Sequence, residues 1–583
     1  MFELRDAVRA IPHAEEDREL STTTRRRSIT KTHERISQLG WEPDYFQPAV
    51  KYPSRYTFPV KAKDPMKHIM REYLPMELEK DERVYGGHDA AVRAEMTSKT
   101  GKRWMEIIKP YIVTTAYAEV GAGRCMSMLI DAIPNNELRN GYHVQFVDEI
   151  RHTGLQMALA RWYAKHVPDP SGWHLGPATL SKDPGTRQAL NMLSHFIVGD
   201  PVQCAFTLMV VAETAFTNIA FVALPDVGAR NGDFTLPTTY LSVQSDEARH
   251  ISNGYATLLT VLQEDDNAPL IERDLAQAWW INHAYLDGFG SAIMEYSSDD
   301  RSDPESYLDK WERWIENDWY RSYVLKLGKL GLNFPAEMFD RAKSRLERGM
   351  VHKNMLSAAA FWMLHFWRTE PLNERDFEWM ESKYPGWYAE YGPAWEAFRQ
   401  TRHDPQQFKH LLSMALDQAA PSCWVCLMGC VFPDDMCHRT VGDRTRFYCS
   451  KECMWLDESN PGRYVGDRNF FDRYHGWELS ELVRDLGFVR ADGKTLIAQP
   501  HLENDRMWTL DDVKSMDFHV QSPNITVAEK MGLANGSSVG LESPNGHIDG
   551  GLRAAAPWSN GAAGNGGGKQ TSGKAAGTTG VAG

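Results

Sequence analysis

One pentapeptide occurs twice in this chain, as DEIRH at Asp148–His152 and as DEARH at Asp246–His250. Each copy sets a glutamate three residues before a histidine: Glu149 with His152, and Glu247 with His250. On a helix, residues three apart share a face. A carboxylate and an imidazole so placed can grip one metal ion from the same side. A single Glu-x-x-His arises by chance about once in a chain this long. Two copies that also share the flanking Asp and Arg point to two helices that present a common ligand set.

Two further acids stand in surroundings made for burial. Glu119 lies among Ala116, Ala118, Gly121, Ala122 and Gly123, small residues that let helices approach closely or leave room for a ligand. Glu213 sits near the middle of Cys204–Leu224, an almost wholly apolar run closed by Pro225. That run is long enough to cross a bilayer. A charge at its centre would cost about 3 kcal/mol there, and no basic cluster flanks it. A helix apolar on all sides is also what the centre of a large bundle requires, so the expectation is a buried helix and no membrane span.

Glu119, Glu149 with His152, Glu213, and Glu247 with His250 therefore place one Glu on each of two helices and a Glu-x-x-His on each of two others. This is the ligand pattern of carboxylate-bridged di-iron or di-manganese four-helix bundles. Four carboxylates offset the charge of two cations, and some can bridge both. Two neutral imidazoles leave coordination positions for O2, and oxygen and nitrogen ligands without thiolate suit iron or manganese. Asp148 and Asp246 can each accept the free N–H of a ligand histidine and fix its tautomer, each serving the His of the other copy. Arg151 and Arg249 can pair with these acids. Gln156 follows His152 by four, Thr217 follows Glu213 by four and Thr115 precedes Glu119 by four, so each shares a face with a ligand. The three are expected to line one side of a metal cavity, with Gln156 anchored by Thr115, Thr217 or a metal-bound water.

The rest of the chain reads as a mainly α protein, a four-helix bundle embedded in a larger helical body. Expected helices are Tyr111–Ile133, Gly141–Val167, Thr186–Val198, the apolar run, Thr238–Gln263, Glu272–Tyr296, Pro304–Leu327, Pro335–Arg348 and Asn354–Phe366. Residues 1–60 read as an N-terminal arm, 61–400 as the helical di-iron domain, and 401–525 as a C-terminal region with a Cys-rich module at 423–464. The Gly/Ala-rich residues 526–583 read as a disordered tail. The N-terminus has no apolar core of a secretory signal. Six of the eight cysteines crowd into Cys423–Cys453, which points to metal binding in a reducing compartment and a cytoplasmic protein. A formal net charge of −14 disfavours nucleic acid as a partner.

Within the module, Cys423-x-x-Cys426 and Cys449-x-x-x-Cys453 enclose 22 residues, a spacing that suits a structural zinc site. Cys430, Cys437 and His438 lie between and are alternative ligands, and rubredoxin-type iron would use the same four thiolates. The string RFYCSKECMWLDESNPGRY is similar to YHS-type metal-binding modules.

Taken together, Glu119, DEIRH, AETAFTN at Ala212–Asn218 and DEARH resemble the hydroxylase α subunit of bacterial multicomponent soluble di-iron monooxygenases. SVQSDEARHISNGY, KYPGWY and RMWTLDD extend the resemblance across about Ser28 to Pro523, nearest to the propane 2-monooxygenase and tetrahydrofuran monooxygenase branch. The resemblance implies a ferritin-like fold and two irons held by Glu119, Glu149, His152, Glu213, Glu247 and His250. It puts the active-site threonine at Thr217 and the adjoining asparagine at Asn218. The methane branch carries a cysteine where this chain has Gln156, which argues against methane. The implied reaction inserts one atom of O2 into a C–H bond of a short-chain alkane such as propane, a cyclic ether, a ketone or a phenol.

Electrons would come from NAD(P)H. The chain has no dinucleotide fingerprint and no ferredoxin-type Cys run, so a separate reductase with FAD and a 2Fe-2S cluster is expected. The resemblance also implies a β subunit in an α2β2 core and a small coupling protein. Two other classes compete. A radical-generating di-metal subunit of ribonucleotide-reductase type needs a tyrosine at the metals, for which Tyr117 is the candidate. A non-catalytic iron-binding protein needs only about one four-helix bundle, and this chain is several times that length.

Overall fold

The two repeated motifs lie on two long helices, as their spacing predicts. A computed structural model of the chain describes residues 54–57, 73–167, 199–357, 371–401, 404–464, 468–490, 492–496 and 509–534, with positions 188, 191, 192 and 195. The tail from 535, nearly all of the N-terminal arm, most of Thr186–Val198 and the end of Asn354–Phe366 lie outside the described residues. The helix expected at Asn354–Phe366 begins earlier, as Met350–Ser357.

The site is built from α1 (Tyr73–Arg93), α2 (Lys102–Ala132), α3 (Asn136–His166), a helical run from Pro201 to Arg230, and α4 (Thr235–Val261). Helix α2 starts at Lys102 and passes through Pro110, whereas the sequence predicts a start at Tyr111. Proline removes one backbone bond, but the first turns are secured by Trp104, Met105 and Ile108, all buried. Helix α2 ends at Ala132, two residues before Pro134, and Asn135 caps α3 by accepting the Leu138 N–H at 2.9 Å. So short a link folds α2 and α3 back against each other. Helix α4 starts three residues earlier than expected because Asp233 accepts the N–H groups of Thr235 and Leu236, at 3.1 and 3.3 Å.

The apolar run departs furthest from expectation. It begins with an α-turn, Pro201–Ala205, capped by Asp200. Phe206–Phe216 and Ile219–Ala223 are π-helical, and Leu224–Arg230 returns to α geometry. Pro225 does not close the run; it sits in the first turn of that last segment, where a missing N–H is tolerated. Among the described residues no single helix is long and apolar enough to cross a membrane, and this run is bent by 49° between its halves. Its side chains fill the main core instead.

Helix α4 packs on the π-helical run at very short range. A Cβ added at Gly254 would lie 2.6 Å from Met209 Cβ and 3.2 Å from the Met209 carbonyl carbon.

Around this centre, α5 (Ala268–Asn282) leads through a π-turn, His283–Asp287, into Gly288–Tyr296. The expected Pro304–Leu327 is mostly π-helical, at Glu312–Val324. Further on, α6 (Ala336–Glu347) matches the expected Pro335–Arg348. Of the N-terminal arm, residues 54–57 lie on the body. Tyr56 is buried edge-on to Phe206 at 5.6 Å, and Arg55 pairs with Asp274 at 2.7 Å.

A second core joins Tyr296, Phe377, Trp387 and Trp395 to Leu482, Val513 and Val520, so its residues come from both sides of position 400. The Cys-rich module contains the two-stranded sheet of the described residues, β1 (Cys437–Val441) antiparallel to β2 (Arg444–Tyr448). Its turn uses Gly442 at φ 65°, a conformation costly for any residue with a Cβ. Helix α7 (Lys451–Ser459) follows. The first residues of the expected tail are ordered instead: Pro523–Lys530 is helical and buries Ala528 in the main core.

Candidate metal centre and cavity

Glu119 projects from α2, Glu149 and His152 from α3, Glu213 from the first π segment, and Glu247 and His250 from α4. All six are buried. Ligand atoms of Glu119, Glu149 and His152 lie within 4.8 Å of one another, as do those of Glu149, Glu213 and His250. Glu149 belongs to both groups. His152 Nδ1 is 3.7 Å from Glu119 and 3.6 Å from Glu149. His250 Nδ1 is 3.2 Å from Glu247 and 3.5 Å from both Glu149 and Glu213. The two imidazole rings are 5.7 Å apart.

Both Nδ1 atoms face the carboxylates, and both Nε2 atoms face away. His152 Nε2 meets Asp246 at 3.1 Å, and His250 Nε2 meets Asp148 at 3.3 Å. Each aspartate thus serves the histidine of the other motif. An ionised carboxylate only accepts, so it holds the proton on Nε2 and leaves the Nδ1 lone pair directed inward.

Arg151 donates to Asp246 at 2.7 Å and to Asp81 at 2.8 Å, and Arg249 donates to Asp148 at 2.9 Å and to Glu77 at 3.0 Å. Tyr73 donates to Asp148 at 2.7 Å, and Lys80 pairs with Asp246. Tyr73, Glu77, Lys80 and Asp81, all on α1, were not singled out from the sequence. Their signal is there: Glu77 and Asp81 occupy the buried stripe shared by Tyr73, Val84 and His88, where periodicity calls for apolar residues. Gln145 and Asn253 were missed as well. Gln145 Nε2 donates to Glu149 at 3.2 Å, and Asn253 Nδ2 donates to Gln145 at 2.9 Å.

Burial sets the electrostatics. Desolvation lifts Glu149 to about 7, with the histidines pulling the other way. Desolvation and the Glu247 charge lift Glu213 to about 8. Burial would depress His152, but its hydrogen bond to Asp246 and the nearby Glu119 and Glu149 carboxylates outweigh it and hold the imidazole well above its ordinary value. His250 behaves alike, through Glu149, Glu247 and Asp148. Alone, this cluster needs protons to be buried. His152 Nδ1 and Glu213 Oε2 are buried without a hydrogen-bond partner. Orphaned lone pairs on a carboxylate and an imidazole, facing each other's neighbours, fit metal ions.

A cavity of about 150 Å³ opens on the carboxylate side. Glu119, Glu149, Glu213 and Glu247 reach it, and its other walls include Leu208, Phe216, Ile219, Phe221, Leu286 and Met294. Thr115 and Thr217 line it as expected, and Thr115 also bonds Tyr240 at 2.8 Å. Two residues depart from expectation. Gln156 is fully buried but is not among the cavity residues. Its Nε2 donates to Glu119 rather than to Thr115 or Thr217, because that carboxylate lies between α2 and α3, directly in its path. Asn218, at the junction of the π segments, faces away from the cavity and donates to Asp318 at 3.3 Å.

Cys423, Cys426, Cys449 and Cys453 bring four buried sulfurs within 4.8 Å of one another. Cys426 to Cys449 is 3.7 Å and Cys449 to Cys453 is 3.6 Å. These are far too long for disulfides and near the roughly 3.8 Å edge of a tetrahedron with about 2.3 Å zinc–sulfur arms. Cys430, Cys437 and His438 lie outside this group.

The family model of methane/phenol/alkene hydroxylases matches residues 41–265. The propane 2-monooxygenase hydroxylase large subunit of Rhodococcus jostii (strain RHA1) is 42% identical over 524 residues, which cover 86% of this chain and 96% of that protein. The methane monooxygenase component A alpha chain of Methylococcus capsulatus (Bath) is 32% identical over 511 residues, 85% of this chain and 94% of its own. In fold, the chain is similar to the crystal structure of phenol hydroxylase from Pseudomonas sp. OX1, at a TM-score of 0.65 and 19% identity, covering 79% of this chain and 93% of that one.

Proposed function

The chain belongs to the methane/phenol/alkene hydroxylase family, the hydroxylase components of multicomponent monooxygenases, and on that premise we propose that it is the large subunit of a di-iron hydroxylase acting on a small organic substrate. The observation that carries this reading is the cage of four carboxylates and two inward-facing imidazoles, open on its carboxylate side to an apolar cavity. Glu119, Glu149, His152, Glu213, Glu247 and His250 would hold two irons. When bound, the pair would supply O2 activation, with two electrons from the reductant and two from the substrate C–H bond, so that one oxygen atom enters that bond and the other leaves as water with two protons.

The chain's own residues do the rest. Asp148 and Asp246 fix the imidazole tautomers, and Arg151 and Arg249 hold those aspartates. Leu208, Phe216, Ile219 and Phe221 exclude water and orient an apolar substrate. Thr217 Oγ1, one turn beyond Glu213, offers a hydroxyl that can hold a proton on the cavity wall. The lining favours a short-chain alkane such as propane over a charged substrate, with cyclic ethers, ketones and phenols also of suitable size.

The electrons would come from NAD(P)H through a separate reductase bearing FAD and 2Fe-2S, with a β subunit completing an α2β2 core and a small coupling protein. The four cysteines would hold a structural zinc. Tyr117, the tyrosine nearest Glu119 in sequence, is exposed on α2, which leaves the radical-subunit alternative without it.

The test is reconstitution with the partner components. Two irons per chain and NADH-driven hydroxylation across a panel of propane, tetrahydrofuran, acetone and phenol are expected. Iron-loaded protein that consumes no O2 with any of them, or that forms a stable tyrosyl radical instead, would sink the proposal.

A further inference from the structure

Arg345 is a buried cation without a carboxylate. It lies on α6, is 1% exposed, and pairs with no acid among the described residues. Glu452, beside Cys453 in sequence, pairs instead with Arg341 at 2.7 Å. The Arg345 guanidinium lies 5.3 Å from the Trp280 ring and 5.9 Å from the Phe432 ring. The charges that act on it most strongly are the sulfurs of Cys449, Cys426 and Cys453, and its Nε and Nη1 are buried with no hydrogen-bond partner. Trp280, on α5 and fully buried, donates its Nε1–H to Cys453 Sγ at 3.2 Å. The helical body therefore presents an indole N–H to the four-sulfur group of the C-terminal module, with a buried guanidinium over the same indole ring.

Four thiolates outweigh a divalent ion by two negative charges. Buried, such a unit needs nearby positive charge and N–H donors, and a buried guanidinium needs an anion. Each is the other's counter-charge. We propose that Arg345 and Trp280 are positioning residues for the metal of the cysteine module, so that its affinity is set from the helical body and not by the four cysteines alone. This rests on the reading that the module holds a metal. It ties the module to the helices around the candidate di-iron centre: Trp280 follows Trp279, which stacks on the cavity residue Phe216 at 5.5 Å.

The experiment uses the full chain and three variants, Arg345→Met, Arg345→Lys and Trp280→Phe. Zinc affinity is measured by competition with a chromophoric chelator, and cobalt(II) is substituted to read the thiolate-to-metal charge-transfer bands. Outer hydrogen-bond partners of metal ligands are typically worth 10–100-fold in affinity. Arg345→Met is expected to lose about that much, Arg345→Lys to recover part of it, and Trp280→Phe to lose less than Arg345→Met. Each should shift the cobalt bands while leaving the iron content of the carboxylate site unchanged. A merely structural role would lower thermal stability and leave the bands in place. Wild-type affinity and band positions in Arg345→Met overturn the inference. Should that variant fail to fold, wild-type values in both Arg345→Lys and Trp280→Phe overturn it. A wild-type chain that takes up neither zinc nor cobalt in the module refutes the underlying metal reading instead.

Discussion

Gly254→Ala tests whether helix spacing sets the metal centre. Gly254 lies one turn beyond His250, and Met209 one turn before Glu213. The added Cβ would stand 2.6 Å from Met209 Cβ, 3.1 Å from Val210 Cγ2 and 3.2 Å from a Met209 backbone carbon. Ordinary contact between carbons is about 3.5–4.0 Å, so α4 and the π-helical run must part by about 1 Å. Neither backbone can rotate aside. Overpacking costs about 1–3 kcal/mol, but alanine in a helix recovers up to about 1 kcal/mol over glycine. The net loss of stability is therefore small, while the displacement falls where His250 Nδ1 and Glu213 are 3.5 Å apart. A misplacement of about 1 Å can cost on the order of 100-fold in rate. The expected result is a near-normal melting temperature with reduced iron retention and activity down by about two orders of magnitude. Gly288→Ala is the control: its Cβ would meet Met428 Cε at 2.5 Å, the free end of a flexible chain, and iron and activity should hold. If Gly254→Ala keeps full iron and rate, the close approach at that position does not set the distance between the ligands.

Asp246→Asn removes the acceptor that holds His152 and a partner of Arg151 and Arg249; iron affinity should fall about 10–100-fold, read by chelator competition, while unchanged affinity would deny the aspartate its orienting role. Gln156→Ala deletes a donor to Glu119 outside the cavity, so iron retention should change more than the distribution of hydroxylated products; altered regioselectivity with full iron would put Gln156 back in the pocket. Burial depresses His88 to about 4 and, aided by Lys383 and Lys353, His352 to about 3. Their folded values lie below the unfolded one, so their stability is fully present above about pH 6.5 and is lost as pH falls, by up to about 1.4 kcal/mol per unit for each histidine. His352→Gln should flatten that slope between pH 6 and 4 in denaturant titrations, and an unchanged slope would mean His352 is protonated in the fold.

The six candidate ligands were legible because each signal was local: a Glu three residues before a His, or an acid inside an apolar run. The exchange of aspartates was also legible, since a repeated motif offers few other ways to supply two imidazoles. Hydrogen-bond geometry was not. An α-helix and a π-helix of the same composition look alike, so the wide turns at Phe206–Phe216 and the passage through Pro225 could not be read. Long-range partners were hidden for another reason. Glu77 and Asp81 contact the motifs only after folding, and nothing near Arg345 in the sequence announces sulfur. Gln156 shows the limit of helical phase: the right face was inferred, but the Glu119 side chain that intercepts it comes from a different helix.

The exchange also has the symmetry of a dimer. His152 depends on Asp246 and His250 on Asp148, so each motif orients the imidazole of the other. Cut the chain between α3 and the π-helical run, and each fragment keeps a whole Glu-x-x-His but loses the aspartate that orients its imidazole. Ordered inward-facing nitrogens exist only when both halves are docked, which makes metal uptake by mixed fragments a direct reporter of their association.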